Sequence, residues 1–301
     1  MSETRRHALG FWAKLNEDWV FNFSGMLAYN FLTATAPLAL VILAIAGLAL
    51  GALSPATLAS YQQGIASHLP AGAASLTHGA LVALNKSAGA LLVIAIVSAF
   101  YAGSRLFVAL ENCFSVIYRV DSRGFVPQNL MAIGMTALYA VLAPVTYLVS
   151  ALFSGAFNIL KSAGGAAGSP SPVQAVIGYL GGVIVSVFGA FIIFLAVYLF
   201  TPNRDHPWRH ALKVSWRGAL VAAALLTLYQ QIFPLYQRFF LRNAGYGSVV
   251  GLAIIAIVFL YYVGFITLLG AEINAWSEGL RPLRATLPDL YRQRDGASLM
   301  R

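Results

Sequence analysis

The sequence predicts an all-α membrane protein with six transmembrane helices, and its composition and charge pattern carry this prediction. Of the 301 residues, 59% are hydrophobic and 10% are charged, whereas a soluble domain carries about 25% charged residues. The mean hydropathy is +0.75, and no Asp, Glu, Lys or Arg lies between Asp18 and Lys86. These values exclude a water-soluble enzyme and a disordered chain. The single cysteine, Cys113, excludes an internal disulfide and a cysteine-based metal cluster.

Six stretches are long and apolar enough to cross a bilayer, which takes about 20 helical residues. They are residues 31–53, 88–110, 130–158, 174–200, 218–240 and 248–271. The second and fifth are the weakest, because Arg105 interrupts one and Gln230, Gln231 and Pro234 interrupt the other. The prediction is a transmembrane domain over 31–275, preceded by an N-terminal segment, 1–30, and followed by a basic, flexible tail, 276–301.

The basic residues predict the orientation of these spans. With six crossings, 15 of the 19 Lys and Arg fall on one side, together with all 10 acidic residues. Because Lys and Arg accumulate in cytoplasmic loops, both termini are expected in the cytoplasm. The net charge of +9 is then explained by topology and predicts no nucleic-acid partner.

Two segments outside the spans have helical patterns of their own. In residues 8–24, aromatic and aliphatic residues recur at helical spacing, with Lys14, Glu17 and Asp18 between them. This pattern predicts one amphipathic helix lying flat at the cytoplasmic interface. The outer segment 54–87 predicts short helices on the outer leaflet, and the Gly- and Pro-rich segment 161–173 predicts a flexible loop.

Two charges near the membrane are the main candidates for function. Arg105 lies near the cytoplasmic end of the second helix, and Glu272 lies at the same end of the sixth. An unpaired charge inside the bilayer costs on the order of a few kcal/mol. The two charges are therefore predicted either to pair with each other or to reach phosphates and water separately.

Prolines in the first, third and fifth spans predict broken helices that expose backbone groups to a substrate. These helix breaks are Pro37, Pro144 and Pro234. The predicted substrate path is lined by Arg105, Glu272, Asn30, Tyr29, Tyr139, Tyr229, Gln230, Asn112 and Asn274. For each tyrosine the alternative is an interfacial anchor or a packing residue.

No residue pattern predicts a catalytic site, a metal or a cofactor. His206 and His210 have the i, i+4 spacing of a metal pair, but Pro207 lies between them and no third ligand is evident. A solvated basic loop is the preferred interpretation. The chain also has no Gly-rich phosphate loop, zinc signature or nucleophile elbow.

Short motifs spread along the chain carry a family resemblance. They are Ala28–Pro37, Ser104–Phe107, Ile117–Val120, Arg123–Phe125, Thr201–Asn203, Tyr246–Ser248, Leu260–Tyr262, and Leu269–Glu272 with Asn274. Together they resemble the YihY/virulence factor BrkB family of bacterial inner-membrane proteins, over about residues 10–280. A tryptophan often found shortly before the tyrosine of the last helix is absent, and Phe259 lies in that neighbourhood.

The resemblance implies six transmembrane helices and a bacterial inner-membrane location. It leaves the activity open, since members have carried the label ribonuclease BN, a misassignment, and others are linked to envelope integrity, serum resistance or solute transport. A nuclease is not predicted, because the chain has no Asp/Glu/His cluster with two-metal spacing.

The function predicted is therefore a permease that moves a small solute or amphiphile, without enzymatic activity. Its expected partners are membrane lipids and that unknown solute. The alternative is a non-transporting envelope-integrity protein that binds lipid or scaffolds partners through the amphipathic helix and the outer loop. Small residues allow transmembrane helices to approach closely, either within one protomer or across a homodimer. The fourth span has four glycines that leave both arrangements open, namely Gly178, Gly181, Gly182 and Gly189.

Overall fold

The structure, a computed structural model, describes residues 3–51, 71–163, 172–204, 208–243 and 248–282, with side chains over shorter parts of these segments. The described residues form helices α1 (Glu3–Glu17), α2 (Val20–Gly51), α3 (Ala71–Tyr118), α4 (Phe125–Ala163), α5 (Pro172–Phe200), α6 (Trp208–Asn243) and α7 (Ser248–Ser277). No strand occurs in these ranges. The predicted all-α class is confirmed for this part of the chain.

Within the described residues, 5 helical segments are long and apolar enough to cross a membrane. They are Val93–Tyr118, Phe125–Thr146, Tyr179–Phe200, Arg209–Gln237 and Ala253–Ser277. These segments correspond to the second to sixth predicted spans. The first predicted span, 31–53, falls mainly on α2, where most side chains beyond residue 35 lie outside the described residues. A sixth crossing therefore stays a prediction.

Helices α2 to α7 pack side by side in a closed ring. Each contacts the next along the chain, α7 returns to α2, and α3 also contacts α7. The short helix α1 lies against α2 and α7. We call the end of the ring that carries α1, the α3–α4 link, the α5–α6 link and the C-terminus of α7 the α1 end.

The buried core of the described residues is concentrated toward this α1 end. Phe114 and Tyr198 are fully buried, with their ring centroids 5.8 Å apart. The Tyr198 hydroxyl donates to the carbonyl oxygen of Thr267 at 2.7 Å and thereby ties α5 to α7. The outer surface of the ring exposes large apolar side chains, among them Phe125 at the α1 end and Ile184 on α5. Such a surface suits contact with lipid.

The three prolines do not break their helices. Pro37, Pro144 and Pro234 lie inside α2, α4 and α6, and the helical backbone runs through each of them. The predicted breaks are therefore wrong. Proline removes one N–H donor from a helix, and a membrane helix tolerates this loss where neighbouring helices, Ser and Thr side chains or local backbone adjustments compensate for it. Thr35, near Pro37, donates to the carbonyl oxygen of Phe31 on its own helix at 2.7 Å.

The N-terminal amphipathic segment is two helices instead of one. Helix α1 ends at Glu17, Trp19 has a φ of 58°, and α2 begins at Val20. A positive φ is uncommon for a residue with a side chain, and here it turns the chain so that one face of α1 packs on the ring. Lys14 and Asp18, expected on the polar face, are consequently buried.

The remaining predicted segments fall partly outside the described ranges. Residues 71–87 of the predicted outer-leaflet segment continue α3 without interruption, whereas 52–70 lie outside the described residues. Most of the predicted loop 161–173 and the tail beyond residue 282 also lie outside them.

Close packing of α6 on α7 yields a first prediction. A Cβ atom added at Gly218 would collide with the carbonyl oxygen of Gly270 and the side chain of Asn274. We expect Gly218→Val to lower the free energy of unfolding by about 1–3 kcal/mol, measured as a lower thermal unfolding midpoint in detergent. Gly134→Val is the matched control, because a Cβ at Gly134 meets nothing within 4 Å. Equal midpoints for the two variants would contradict this close packing.

Candidate functional site

A cluster of buried charges at the α1 end is centred on Lys14. The fully buried Lys14 Nζ donates to Oδ2 of Asp18, to Oε2 of Glu272 at 2.7 Å and to the carbonyl oxygen of Ile117 at 3.2 Å. Glu272 is also fully buried, and Asp18 is 4% exposed. We call Lys14, Asp18 and Glu272 the triad. It joins α1, the α1–α2 link, α3 and α7.

A second ion pair, between the partly exposed Arg123 and the buried Glu111, ties the α3–α4 link to α3 and α5. The backbone N and Nη1 of Arg123 both donate to Oε1 of the buried Glu111 at 3.1 Å. The same guanidinium donates to the carbonyl oxygens of Thr201 at 2.7 Å and Pro202 at 3.3 Å. Arg123 therefore binds the residues that follow the C-terminus of α5 while it neutralises Glu111.

A third pair connects the α5–α6 link to the residue that follows α7. Arg204 Nη1 donates to Oε1 of Glu278 at 2.9 Å, and Nη2 donates to the carbonyl oxygen of Tyr198 at 2.7 Å. The guanidinium also lies 4.3 Å from the ring centroid of Tyr118. A planar guanidinium that stacks and bonds in two directions is a contact that lysine does not reproduce.

These cations share a further task at the helix ends. Helices α3, α5 and α7 all finish at the α1 end, where their last carbonyl groups carry partial negative charge. Lys14 bonds a carbonyl of α3, Arg123 and Arg204 bond carbonyls at the end of α5, and Arg281 bonds that of Trp276 on α7 at 2.7 Å. The positive charge concentrated here therefore complements three helix dipoles.

Several buried polar atoms at this end have no hydrogen-bond partner in the described structure. They are Oε1 of Glu272, Nδ2 of Asn274, the Tyr118 hydroxyl, the Thr201 hydroxyl and Oε2 of Glu111. Asn274 uses its Oδ1 to accept a bond from the backbone N of Gly218 at 2.7 Å. An unpaired buried polar atom costs about 1–3 kcal/mol. Their concentration makes the α1 end the candidate functional site.

The predicted Arg105–Glu272 pair does not form. Glu272 binds Lys14, and Arg105 instead donates from Nη2 to Oδ1 of Asn129 on α4. The reason is that α1 inserts a lysine next to Glu272. Arg105 also lies 5.6 Å from the ring centroid of Tyr101, and its buried Nε has no partner in the described structure. Arg105 thus lies within a candidate span without a carboxylate bound to it.

The other predicted path residues are spread over the ring. Asn274 is buried at the α1 end, whereas Asn112 is exposed and accepts a bond from Gln128 at 2.9 Å. Tyr229 packs among aromatic rings, with its centroid 5.4 Å from that of Phe259.

Four more of these residues lie on or near the outer surface of their helices. Tyr29 is 67% exposed and Tyr139 45% exposed, and Gln230 is exposed as well. Asn30 donates to the carbonyl oxygen of Met26 on its own helix at 2.9 Å. A polar group on a helix in lipid needs a hydrogen-bond partner, and this bond supplies one within the same helix.

Sequence reasoning missed Lys14, Asp18, Glu111, Arg123, Arg204 and Glu278 as members of a buried network. All of them lie outside or at the ends of the apolar runs, where charges are ordinarily solvated. One available signal was the i, i+4 spacing of Lys14 and Asp18, which brings opposite charges together on one helix face. Their partners on α3 and α7 are more than 90 residues away and depend on the tertiary fold.

The predicted histidine pair is only half described. His206 lies outside the described residues, and His210 is exposed on α6. Within the part of the chain that the structure describes, no group of 3 or more His, Cys, Asp and Glu side chains is arranged to hold a metal ion.

Comparison with known proteins places the chain in a family context. The family described as Virulence factor BrkB matches residues 11–289, which confirms the resemblance carried by the motifs. The ribonuclease-like protein YfkH of Bacillus subtilis is 27% identical over 273 residues, covering 88% of this chain and 91% of its own.

Two further relatives bear the name UPF0761 membrane protein. One from Vibrio atlanticus is 24% identical over 268 residues, covering 87% of this chain and 79% of its own. One from Idiomarina loihiensis is 35% identical over 91 residues, which is 30% of each chain. No solved structure matches the chain.

The triad yields a second prediction. Lys14→Met removes the only cation bound to Asp18 and Glu272 in the described structure. We expect it to lower the free energy of unfolding by about 3–5 kcal/mol, because the buried carboxyl groups of Asp18 and Glu272 lose the cation that binds them both. The measurement is the unfolding midpoint in detergent at neutral pH. Lys213→Met is the control, since Lys213 is exposed on α6, and a similar midpoint for both variants would show that Lys14 is not needed.

Proposed function

This chain belongs to the virulence factor BrkB family of membrane proteins, and we propose that it is a permease that moves a small solute or amphiphile across the bacterial inner membrane. In this proposal six helices cross the bilayer and both termini are cytoplasmic. The α1 end of the ring is then its cytoplasmic end.

The observation that carries the proposal is Arg105, a charge within a candidate span that binds no carboxylate in the described structure. Ionisable groups in a membrane domain are costly and commonly belong to substrate or proton pathways. The triad contains two carboxylates and one ammonium. Arg105, on α3, bonds a neutral amide. Replacing a buried ion pair by apolar side chains of similar volume is often neutral or stabilising, so stability alone does not account for these charges.

Arg105 is the group proposed to attract the solute. Its guanidinium has a fork of donors suited to a carboxylate or phosphate, and in the described structure it is bound only to Asn129 and lies near the Tyr101 ring. An anionic or zwitterionic solute would replace the Asn129 contact. The exposed position of Tyr101 leaves this side of α3 accessible from the surrounding membrane.

A nuclease is not proposed, although one relative is named ribonuclease-like. The buried acidic residues of the α1 end are each engaged by a lysine or an arginine. Phosphodiester cleavage by a two-metal site needs carboxylates that are free to bind metal ions. We therefore propose that the protein has no enzymatic activity and no nucleic-acid partner.

A non-transporting envelope protein is the second candidate, and the outer face of α1 favours it. Leu9, Trp12 and Trp19 are 53%, 57% and 59% exposed, on the segment that carries the buried Lys14. Exposed tryptophan and leucine at one end of a membrane domain suit the lipid headgroup region. In this alternative α1 binds lipid and the ring serves as its anchor.

Flux measurements separate the two candidates. The purified chain is reconstituted into liposomes and tested with labelled carboxylic acids, phosphate esters and short-chain phospholipids. A permease moves at least one of these classes above the rate in protein-free liposomes. No flux of any class, with Arg105→Gln still complementing a deletion strain, would favour the lipid-binding alternative.

The role proposed for Arg105 gives a third prediction. For a transported anion, we expect Arg105→Gln to reduce flux at least tenfold, which corresponds to about 1.4 kcal/mol of lost interaction. Arg105→Lys should retain part of the flux, because the charge remains while the fork is lost. Arg119→Gln is the control, since Arg119 bonds the carbonyl oxygen of Arg281 at 2.6 Å on the surface. Equal flux in Arg105→Gln and Arg119→Gln excludes Arg105 from the path.

The proposed orientation gives a fourth prediction, tested by cysteine labelling. In a Cys113→Ala background, Ser122→Cys in the α3–α4 link should react with an impermeant maleimide in inverted vesicles but not in spheroplasts. Ser169→Cys, in the segment predicted to lie outside, should show the reverse. The same labelling pattern for both positions would refute the proposed topology.

A further inference from the structure

The triad has one feature beyond its role in joining helices, which is its charge. Lys14 contributes one positive charge, while Asp18 and Glu272 each contribute one negative charge when ionised. The side chains of Lys14 and Glu272 are 0% exposed and that of Asp18 is 5% exposed. With both carboxylates ionised, the cluster would hold an unbalanced negative charge away from water.

The described groups around the triad do not supply the missing positive charge. Lys14 is the cation bound to Asp18 and to Glu272, and the buried Tyr118 hydroxyl on α3 is a further titratable group that interacts with Glu272. The other cations of the α1 end are committed elsewhere, Arg123 to Glu111 and Arg204 to Glu278. The carbonyl oxygen of Ile117 that faces Lys14 adds partial negative charge instead.

Two helix ends near the triad also disfavour a second negative charge. Glu272 lies near the C-terminus of α7, and Ile117 near that of α3. Both helix ends carry partial negative charge, which disfavours a second ionised carboxylate at this place. The Lys14 ammonium binds one oxygen of each carboxyl group and so holds the two groups close together, where repulsion between two ionised carboxylates favours a proton on one of them.

One carboxyl oxygen remains available to hold that proton. Oε2 of Glu272 accepts from Lys14 at 2.7 Å, whereas its Oε1 is buried and has no partner in the described structure. A protonated carboxyl group becomes a hydrogen-bond donor, and this oxygen is not occupied by the Lys14 ammonium.

We propose that the triad is a proton-binding site that holds one proton on its pair of carboxyl groups. The proton comes from solvent and forms one O–H bond on Glu272 or Asp18, so that the triad carries no net charge. This site does not depend on the proposed transport.

Infrared spectroscopy of the full chain in lipid nanodiscs at neutral pH tests this site directly. A protonated carboxyl group gives a C=O stretching band separate from those of carboxylate and amide groups. The wild type should show this band at the intensity of one group per chain. Glu272→Gln and Asp18→Asn should each abolish it, because one carboxylate then faces one ammonium and ionises.

Two further variants complete the test. Lys14→Met should double the band, since both carboxyl groups then lack a cation, and Glu278→Gln should leave it unchanged, because Glu278 pairs one-to-one with Arg204. Absence of the band in the wild type, or its survival in either Glu272→Gln or Asp18→Asn, overturns the proposal. The wild-type measurement decides even where a variant fails to fold, and absent solute flux would leave the result intact.

Discussion

The interior of a helix ring in a membrane has a low dielectric constant. Every charge placed there therefore needs either a partner of opposite sign or a set of dipoles that stabilises it. Lys14 meets this condition for three parts of the structure at once. Its ammonium binds Asp18 beside α1, Glu272 on α7 and the carbonyl oxygen of Ile117 on α3. Because each of these groups is buried, none can turn to water if Lys14 leaves. The short N-terminal helix is therefore tied to the ring by a buried ion pair as well as by apolar contacts.

The same condition explains why the links between helices are ordered at this end. Helices α3, α5 and α7 finish there, and their carbonyl groups need donors. Arg123 and Arg204, both in links, supply them while each binds one glutamate. The Lys and Arg residues whose excess orients a membrane protein thus also donate hydrogen bonds to the carbonyl groups at its helix ends. Arg105 differs, since in the described structure it is bound to an amide without a carboxylate.

Apolar runs were sufficient to predict the helices, because burial in lipid depends on local composition. The five spans found in the described residues fall on five of the predicted stretches. The predicted breaks at Pro37, Pro144 and Pro234 are not found, since the helical backbone continues through each proline. The triad was beyond prediction, because Lys14 and Glu272 are 258 positions apart in sequence and meet only when α1 folds back at Trp19. A residue that looks solvated in sequence can be buried once such a reversal occurs.

The central claim is that Lys14 needs one carboxylate and that Asp18 and Glu272 can each provide it. The most direct test is the unfolding free energy of Asp18→Asn, Glu272→Gln and the double variant in the same detergent. Either single substitution leaves Lys14 one counter-charge and should cost little. The double variant strands a buried ammonium, so its loss should exceed the sum of the single losses by about 2 kcal/mol. Additive losses within about 0.5 kcal/mol would contradict this account.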